Sequence, residues 1–291
     1  MKRKRQPDFF SAQVSEARRF FLNLDPPSSE RLAVVSGGCE HCASDYRIRR
    51  PGFRYFSIEF VARGEGSLRL SGEDHRLFPG AAFAYGPGIA HDIRTDPDRP
   101  LVKYFVDFAG TAARRLLRKP APEPGRIVQT SGPEEVLRLF EDLVLTGLRH
   151  TPFSGRICAA LLEHLVLKIA ETAIPLGSAG TMAFETFQRC RSAIEDRSLE
   201  LHSLGDIARS CHVDPAYLCR LFGRFGHQSP YRYLVRLKMA QAARRLQPPG
   251  TLVKQVADEL GFTDPFHFSR TFKRVFGVSP GRFIRLQRPG R

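Results

Sequence analysis

The sequence predicts an α+β protein of two domains: a β-rich N-terminal barrel carrying a helical hairpin, then an all-α domain built on a doubled helix-turn-helix. Three observations predict it. Residues 31–108 hold short apolar runs rich in β-branched and aromatic residues, broken by Gly and Pro. From residue 132 the apolar period lengthens to that of a helix. A motif at 204–230 returns at 253–280.

Length and charge bound the reading. The 291 residues suit two or three modules, and 42% apolar content suits a chain that buries a real core. The formal net charge of +15 points to a polyanionic partner, nucleic acid before an anionic membrane. It is uneven. From Ala183 onward 19 Lys and Arg stand against 9 Asp and Glu, while the first 182 residues hold 26 against 21, four of them the "KRKR" at 2–5. That basic run is not followed by an apolar stretch of ~7–15 residues, so no secretory signal is expected. No run reaches the ~18 apolar residues of a membrane span, so no membrane partner is expected either. Six cysteines in a chain this long do not make a disulfide framework, and a reduced cytoplasmic protein is expected.

Residues 1–30 read as an N-terminal arm. Within 31–173, "FRYFSIEFVARGEGSLRLSG" (53–72) alternates about a "RGEG" turn, and "HRLFPGAAFAYGPGIAHDI" and "LVKYFVDF" continue a meander or small barrel. "RKPAPEPG" (118–125) breaks the pattern. Two helices follow, 132–148 and 154–173. In the second, Leu161, Leu162, Leu165, Val166 and Ile169 form an apolar stripe read here as a self-association surface, with Ser154 as its N-cap. Small residues at 174–183 make a linker, and 184–291 is helical in pattern.

The repeat is a duplicated helix-turn-helix, near 203–226 and 252–276. Ile207-Ala208 matches Val256-Ala257, Asp214-Pro215 matches Asp264-Pro265, Arg220 matches Arg270, and Ser229-Pro230 matches Ser279-Pro280. Ser203 caps the first helix of copy one. Asp214 caps the second helix of copy one and Thr263 or Asp264 that of copy two, each with Pro at the first position, the placement these residues favour. Gly261 supplies the sharp turn of copy two, and His212 takes that slot in copy one. Leu218, Leu221 and Phe222 face a core, as do Phe268, Thr271 and Phe272. The opposite faces carry Ala216, Cys219, Arg220 and Gly223, and Phe266, Ser269, Arg270 and Lys273. A helix fits the major groove, and Arg forks to guanine or phosphate. Between the copies, 229–246 reads as one helix with Tyr233, Leu237, Ala240, Ala243 and Leu246 inward. Its ~24 Å length suits two reading helices set ~34 Å apart, in adjacent major grooves.

On these residues the chain resembles the AraC/XylS family of transcription regulators. The resemblance rests on "IA" (207–208), "YLCRLF" (217–222), "SPYRYL" (229–234), "VADELGF" (256–262) and "FHFSRTFKRVFGVSP" (266–280). It implies DNA contacts from Ala216, Cys219, Arg220 and Arg224 in copy one, and from Phe266, His267, Ser269, Arg270 and Lys273 in copy two. Ala216 and Cys219 offer little hydrogen bonding, so Arg220 carries the polar readout of copy one and copy two makes more of the base contacts. Phe266 suits a thymine methyl. Copy one departs from the family at "FGHQSP", where His227 fills a slot usually held by glycine.

The β-rich half is similar to the cupin-like ligand-binding domain of that family, through "RGEG" (63–66), "LFPGAAFAYGPGIAH" (77–91) and "YFVDF" (104–108). Of the metal ligands of metal-binding cupins only His91 has a counterpart, so neither metal nor cofactor is expected. "CEHC" (39–42) lacks a second ligand pair. His41, Arg54, Tyr55, Glu59, Phe83, Tyr85 and His91 are the candidate ligand-binding residues.

The resulting expectation is a non-enzymatic, ligand-responsive transcription regulator. Its partners would be double-stranded DNA, a small-molecule effector such as a sugar, a second copy of the chain, and RNA polymerase as a further candidate. Two rivals differ in class: a cupin-type metal-dependent enzyme with a DNA-binding tail, and an architectural protein held by phosphate contacts alone. Cys42 and Cys219 are candidate redox sensors.

Overall fold

The structure, a computed structural model, describes residues 11–118, 123–178, 180–248 and 250–286. The "KRKR" run lies outside them. The chain divides into two compact units, Met1–Ala179 and Gly180–Arg291.

Among the described residues the first unit contains nine strands before its first helix: β1 (Val14–Phe21), β2 (Ala33–Cys42), β3 (Arg47–Arg50), β4 (Phe56–Arg63), β5 (Gly66–Leu70), β6 (Glu73–Leu77), β7 (Ala81–Tyr85), β8 (His91–Thr95) and β9 (Val102–Ala109). After them come α1 (Ala113–Leu116), β10 (Arg126–Thr130), α2 (Pro133–Leu148), α3 (Ser154–Thr172) and β11 (Ala173–Ile174). One sheet runs β1-β2-β9-β4-β7-β10-β11 and the other β3-β8-β5-β6.

Successive side chains of a strand point to opposite faces, so the large sheet serves two cores. Ile58, Phe60, Val106 and Phe108 pack with Phe140, Leu143, Leu162 and Leu165 of α2 and α3. Val61, Phe83 and Tyr85 pack with Leu68, Leu70 and Ile93 of the small sheet. Covered on both faces, β7 is buried throughout, while β5 alternates because its outer face is wet. At the β4–β5 turn Gly64 has φ +78, and a Cβ there would strike the Pro100 carbonyl, so only glycine fits.

Three expectations change here. The segment read as an arm contains β1, an edge strand on β2 anchored by the fully buried Phe20. Its charged neighbours hid the alternation. The stripe read as a self-association surface is interior: Leu162, Leu165, Val166 and Ile169 are buried against the large sheet, with Leu161 partly buried beside them. Ser154 starts α3 without capping it. Its Oγ instead donates to the Thr146 carbonyl at 2.9 Å and accepts from Thr151 N at 3.0 Å, pinning the α2–α3 connection.

The second unit is α4 (Met182–Asp196), α5 (Leu204–Cys211), α6 (Pro215–Phe225), α7 (Pro230–Arg245), α8 (Val253–Glu259), α9 (Pro265–Phe276) and α10 (Pro280–Leu286). Phe184 and Phe187 of α4 meet Phe225 and Phe222 of α6 at ring-centroid distances of 5.3 and 5.0 Å. Phe268 and Phe272 of α9 share a second core with Met239 and Ala242 of α7 and with Leu246, which caps its end. The inward face of α7 is therefore rotated from the expected one. Leu234, Lys238, Met239, Ala242 and Leu246 are buried, Ala240 is exposed, and Tyr233, Leu237 and Ala243 are half-buried. A helix packed between two modules buries more than one stripe, and the polar Lys238 is drawn in by a carbonyl described below.

Candidate nucleic-acid interface and ligand pocket

The second helices of both helix-turn-helix copies start from the same Asp cap, while of the first helices only α5 has a side-chain cap. Ser203 Oγ accepts from Asp206 N to start α5. Asp214 Oδ1 accepts from Ala216 N at 2.9 Å and Tyr217 N at 3.0 Å. Asp264 does the same for Phe266 and His267, at 2.8 and 3.0 Å. Between the paired helices the chain turns left-handed, at His212 (φ 54) in copy one and Gly261 (φ 77) in copy two. A side chain at 261 would also meet the His202 ring. After each second helix the same conformation recurs, at His227 (φ 53) and Gly277 (φ 77), so the departure at "FGHQSP" keeps its turn.

These caps leave one face of each second helix to solvent. Leu218, Leu221 and Phe222 are buried in α6, while Ala216, Arg220 and Arg224 are exposed and Cys219 half-exposed. In α9, Phe268, Thr271 and Phe272 are buried, and Phe266, His267, Arg270 and Lys273 are exposed with Ser269 half-buried. Phe266 is 76% exposed, a large aromatic surface with no intramolecular reason to face water. Arg270 is poised over the helix start, 3.4 Å from the Asp264 carboxylate. His267 lies against the Phe262 ring at 5.5 Å between centroids.

The candidate ligand residues of the first unit are only partly brought together. Glu59 and Tyr85 line a small cavity between the two sheets, with Glu40, Arg50, Phe53, Lys103, Phe105 and Asp107. Its volume is about 20 Å³, room for one water. His91 stacks on Tyr85 at 3.9 Å between ring centroids. Phe83 and Tyr55 belong to the apolar core. Arg54 is exposed and paired with Asp25, and His41 is half-buried; neither lines the cavity.

The cavity is held by charge. Lys103 Nζ sits 2.9 Å from both Glu40 and Glu59, Arg19 sits 2.6 Å from Glu40, and the Tyr85 hydroxyl donates to Glu59 at 2.6 Å. Burial opposes charge on Lys103, but the two carboxylates outweigh it and hold its pKa well above the lysine range. Asp107 is different. Burial pushes its pKa up to about 7, against the Ser36 and Ser57 hydroxyls that favour the charged form. Glu40, Lys103 and Asp107 were missed as site residues, although Lys103, Phe105 and Asp107 stand at alternate positions of "LVKYFVDF", which puts them on one strand face.

The same parity settles "CEHC". Cys39 packs towards α2 and α3 and Cys42 towards the barrel interior, so the pair cannot share a ligand. Burial pushes the Cys42 thiol up to about 12, which removes it as a thiolate redox sensor. Among the described residues no three His, Cys, Asp or Glu side chains gather as a metal site, and no helix is long and apolar enough to cross a membrane.

Comparison with known proteins adds two family matches. Residues 36–166 match an AraC-like ligand binding domain, and residues 207–286 match a helix-turn-helix domain. The chain is 23% identical to the Msm operon regulatory protein of Streptococcus mutans, over 87% of this chain and 92% of that protein. It is 25% identical to the arabinose operon regulatory protein of Salmonella typhimurium, over 82% and 87%. It is 28% identical to the raffinose operon transcriptional regulatory protein of Pediococcus pentosaceus, over 86% and 92%. Among solved structures, an AraC-type transcriptional regulator from Chromobacterium violaceum is 27% identical, with a TM-score of 0.33 over 36% of this chain and 96% of that one.

Proposed function

Because this chain belongs to the AraC family of DNA-binding transcription regulators, we propose that it reads DNA with α6 and α9 in adjacent major grooves, under control of a small molecule sensed by the N-terminal unit. One observation carries the DNA half. Two second helices, each started by an Asp-Pro cap, turn a cationic face to solvent while their apolar faces are buried. Arg220 and Arg270 are the base readers of this scheme, Phe266 meets a thymine methyl, and Ala216, Cys219, Arg224, His267, Ser269 and Lys273 complete the contact surface. The domains of this reading are a sensing unit up to Ala179, with β1 part of its large sheet, and a reading unit from Gly180 onward. Recovery of preferred sites from random DNA tests it; a protein held by phosphates alone would select none.

The effector reading draws on the relatives. The relatives named for the arabinose and raffinose operons are regulatory proteins of those operons, and a sugar effector is read for this chain by analogy. Ligand would act by binding one arrangement of the regulator better than another. A homodimer fits this scheme, and its surface is the outer face of the helical hairpin. There Leu145, Phe153, Ile157 and Leu167 are 47%, 63%, 46% and 65% exposed. Phe153, Ile157, His164 and Leu167 recur at the spacing of one helix face. RNA polymerase would be a further partner at promoters, and the cytoplasm, where the DNA lies, is the expected compartment.

A further inference from the structure

The second unit holds a pair of thiols that its DNA-facing surface does not use. Cys190 of α4 and Cys211, the last residue of α5, are 0% and 2% exposed, and both are free. Their side chains hydrogen-bond each other, and Cys211 Sγ lies 3.9 Å from the Cys190 carbonyl oxygen. Two further bonds fix the end of α5 to α4. Arg189 donates to the Cys211 carbonyl at 2.9 Å, and Arg197 donates to the Ser210 hydroxyl at 2.9 Å. A disulfide forms only between cysteines held close, and here two anchored helices hold the thiols in contact.

The pair differs in chemistry from the other buried cysteines. Burial raises the thiols of Cys39, Cys42 and Cys158, which keeps them protonated and inert. At Cys211 the hydrogen bond from Cys190 outweighs burial, and Arg189 and Arg197 add to it. The thiol is thereby held below the ordinary cysteine range, and the thiolate is the nucleophile of thiol oxidation. Cys211 also ends a helix, and helix ends fray, which gives an oxidant as small as peroxide a path to it.

Position couples the pair to the copy-one reading helix. His212, next in the chain, makes the left-handed turn, and Asp214 then caps α6. Cys190 stands three residues after Phe187 on one face of α4, and Phe187 packs on Phe222 of α6. Closing a bond between sulfurs that now only touch draws the end of α5 towards α4. The turn that aims α6 moves with it, while Phe187 holds the body of α6 in place.

We propose that Cys190 and Cys211 are a redox switch, joined by peroxide into a disulfide that weakens DNA reading by copy one. The Cys211 thiolate attacks one peroxide oxygen, the O–O bond breaks, and the leaving hydroxide takes a proton to become water. Cys211 is then a sulfenic acid. The Cys190 sulfur attacks the Cys211 sulfur, the S–O bond breaks, and the Cys190 proton leaves in a second water. Two thiols lose two electrons and two protons, and one peroxide becomes two waters. A dithiol reductant reverses the bond through a mixed disulfide. The switch rests on the reading of α6 as a DNA-binding helix.

The test treats the full chain with hydrogen peroxide, blocks remaining thiols with iodoacetamide and maps the peptides by mass spectrometry. Binding to the site preferred by the reduced protein is measured before oxidation, after it, and after dithiothreitol. A peptide pair linked through Cys190 and Cys211 is expected, with affinity lowered about tenfold, the scale of one good base contact, and restored by dithiothreitol. Cys190→Ala and Cys211→Ala should each form no link and keep their affinity through peroxide. Oxidation confined to Cys219, with no 190–211 link, overturns the switch, and the wild-type map decides this even where a variant fails to fold. A link that leaves affinity unchanged overturns it too, as does a peroxide-induced loss that persists in either variant. A reduced protein that selects no preferred site contradicts the reading of α6 instead, and the peptide map then still upholds or overturns the disulfide.

Discussion

Nζ of Lys238 donates to the carbonyl oxygen of Leu260 at 2.8 Å, bonding the helix between the two copies to the turn of the second copy. The same ammonium lies 3.2 Å from Nδ1 of His202, just before the first copy. One buried cation thus ties both modules to α7, and α7 sets how α6 and α9 stand relative to each other.

Replacing Lys238 with Met removes that tie. The Leu260 carbonyl loses its donor, a cost of about 1–3 kcal/mol. Burial pushes the Lys238 pKa down to about 8, below its unfolded value of ~10.4. The folded state then binds the proton less tightly, so the wild type gains stability as pH rises from 8 towards 10. Thermal unfolding of both proteins at pH 7.5 and 9.5 checks this: the advantage of the wild type over Lys238→Met widens at the higher pH. An unchanged gap contradicts it.

Asp107 works in the opposite sense. Its folded pKa of about 7 lies above the unfolded value of ~3.9, so its contribution is full below pH ~4 and is lost as pH rises through 7. Asp107→Asn removes this window. Scans at pH 5 and 8 should find the N-terminal transition less pH-dependent in the variant than in the wild type. Equal pH dependence in the two proteins would locate the titrating group elsewhere.

The two faces of α3 should respond differently to a charge. Ile157→Glu or Leu167→Glu on the outer face keeps the melting temperature within a few degrees and turns the dimer into a monomer in sedimentation. Truncation of the interior Leu165 to Ala costs ~2–5 kcal/mol, as buried leucines do. A dimer that survives both outer-face changes rules out this surface.

Arg270→Ala should cost ~1–3 kcal/mol on the preferred site and relax specificity at one position. Binding isotherms on the site and on its single-base variants measure both. A loss equal on every sequence assigns Arg270 to a phosphate instead.

Much of the second unit was legible because capping and duplication are local signals. Asp214-Pro215 and Asp264-Pro265 announce helix starts on their own, and the structure has caps at both. The two left-handed turns followed from Gly261 and from His212 in the matching slot. What failed depends on tertiary surroundings. The leucines of α3 look the same in sequence whether they meet a sheet or a second chain, and only the fold buries them against the large sheet. Lys238 looks solvated until the Leu260 carbonyl is brought beside it. Glu40, Lys103 and Asp107 converge from two distant strands, β2 and β9, and pairing across the sheet is a long-range fact.

The measurement closest to the central claim is site selection from a random DNA pool by the wild type, Arg220→Ala and Arg270→Ala. The account predicts two blocks of preferred bases centred about one helical turn, ~10 base pairs, apart. Arg220→Ala should erase information in one block and Arg270→Ala in the other. A single block, or no sequence preference together with a steep loss of binding in salt, would contradict it.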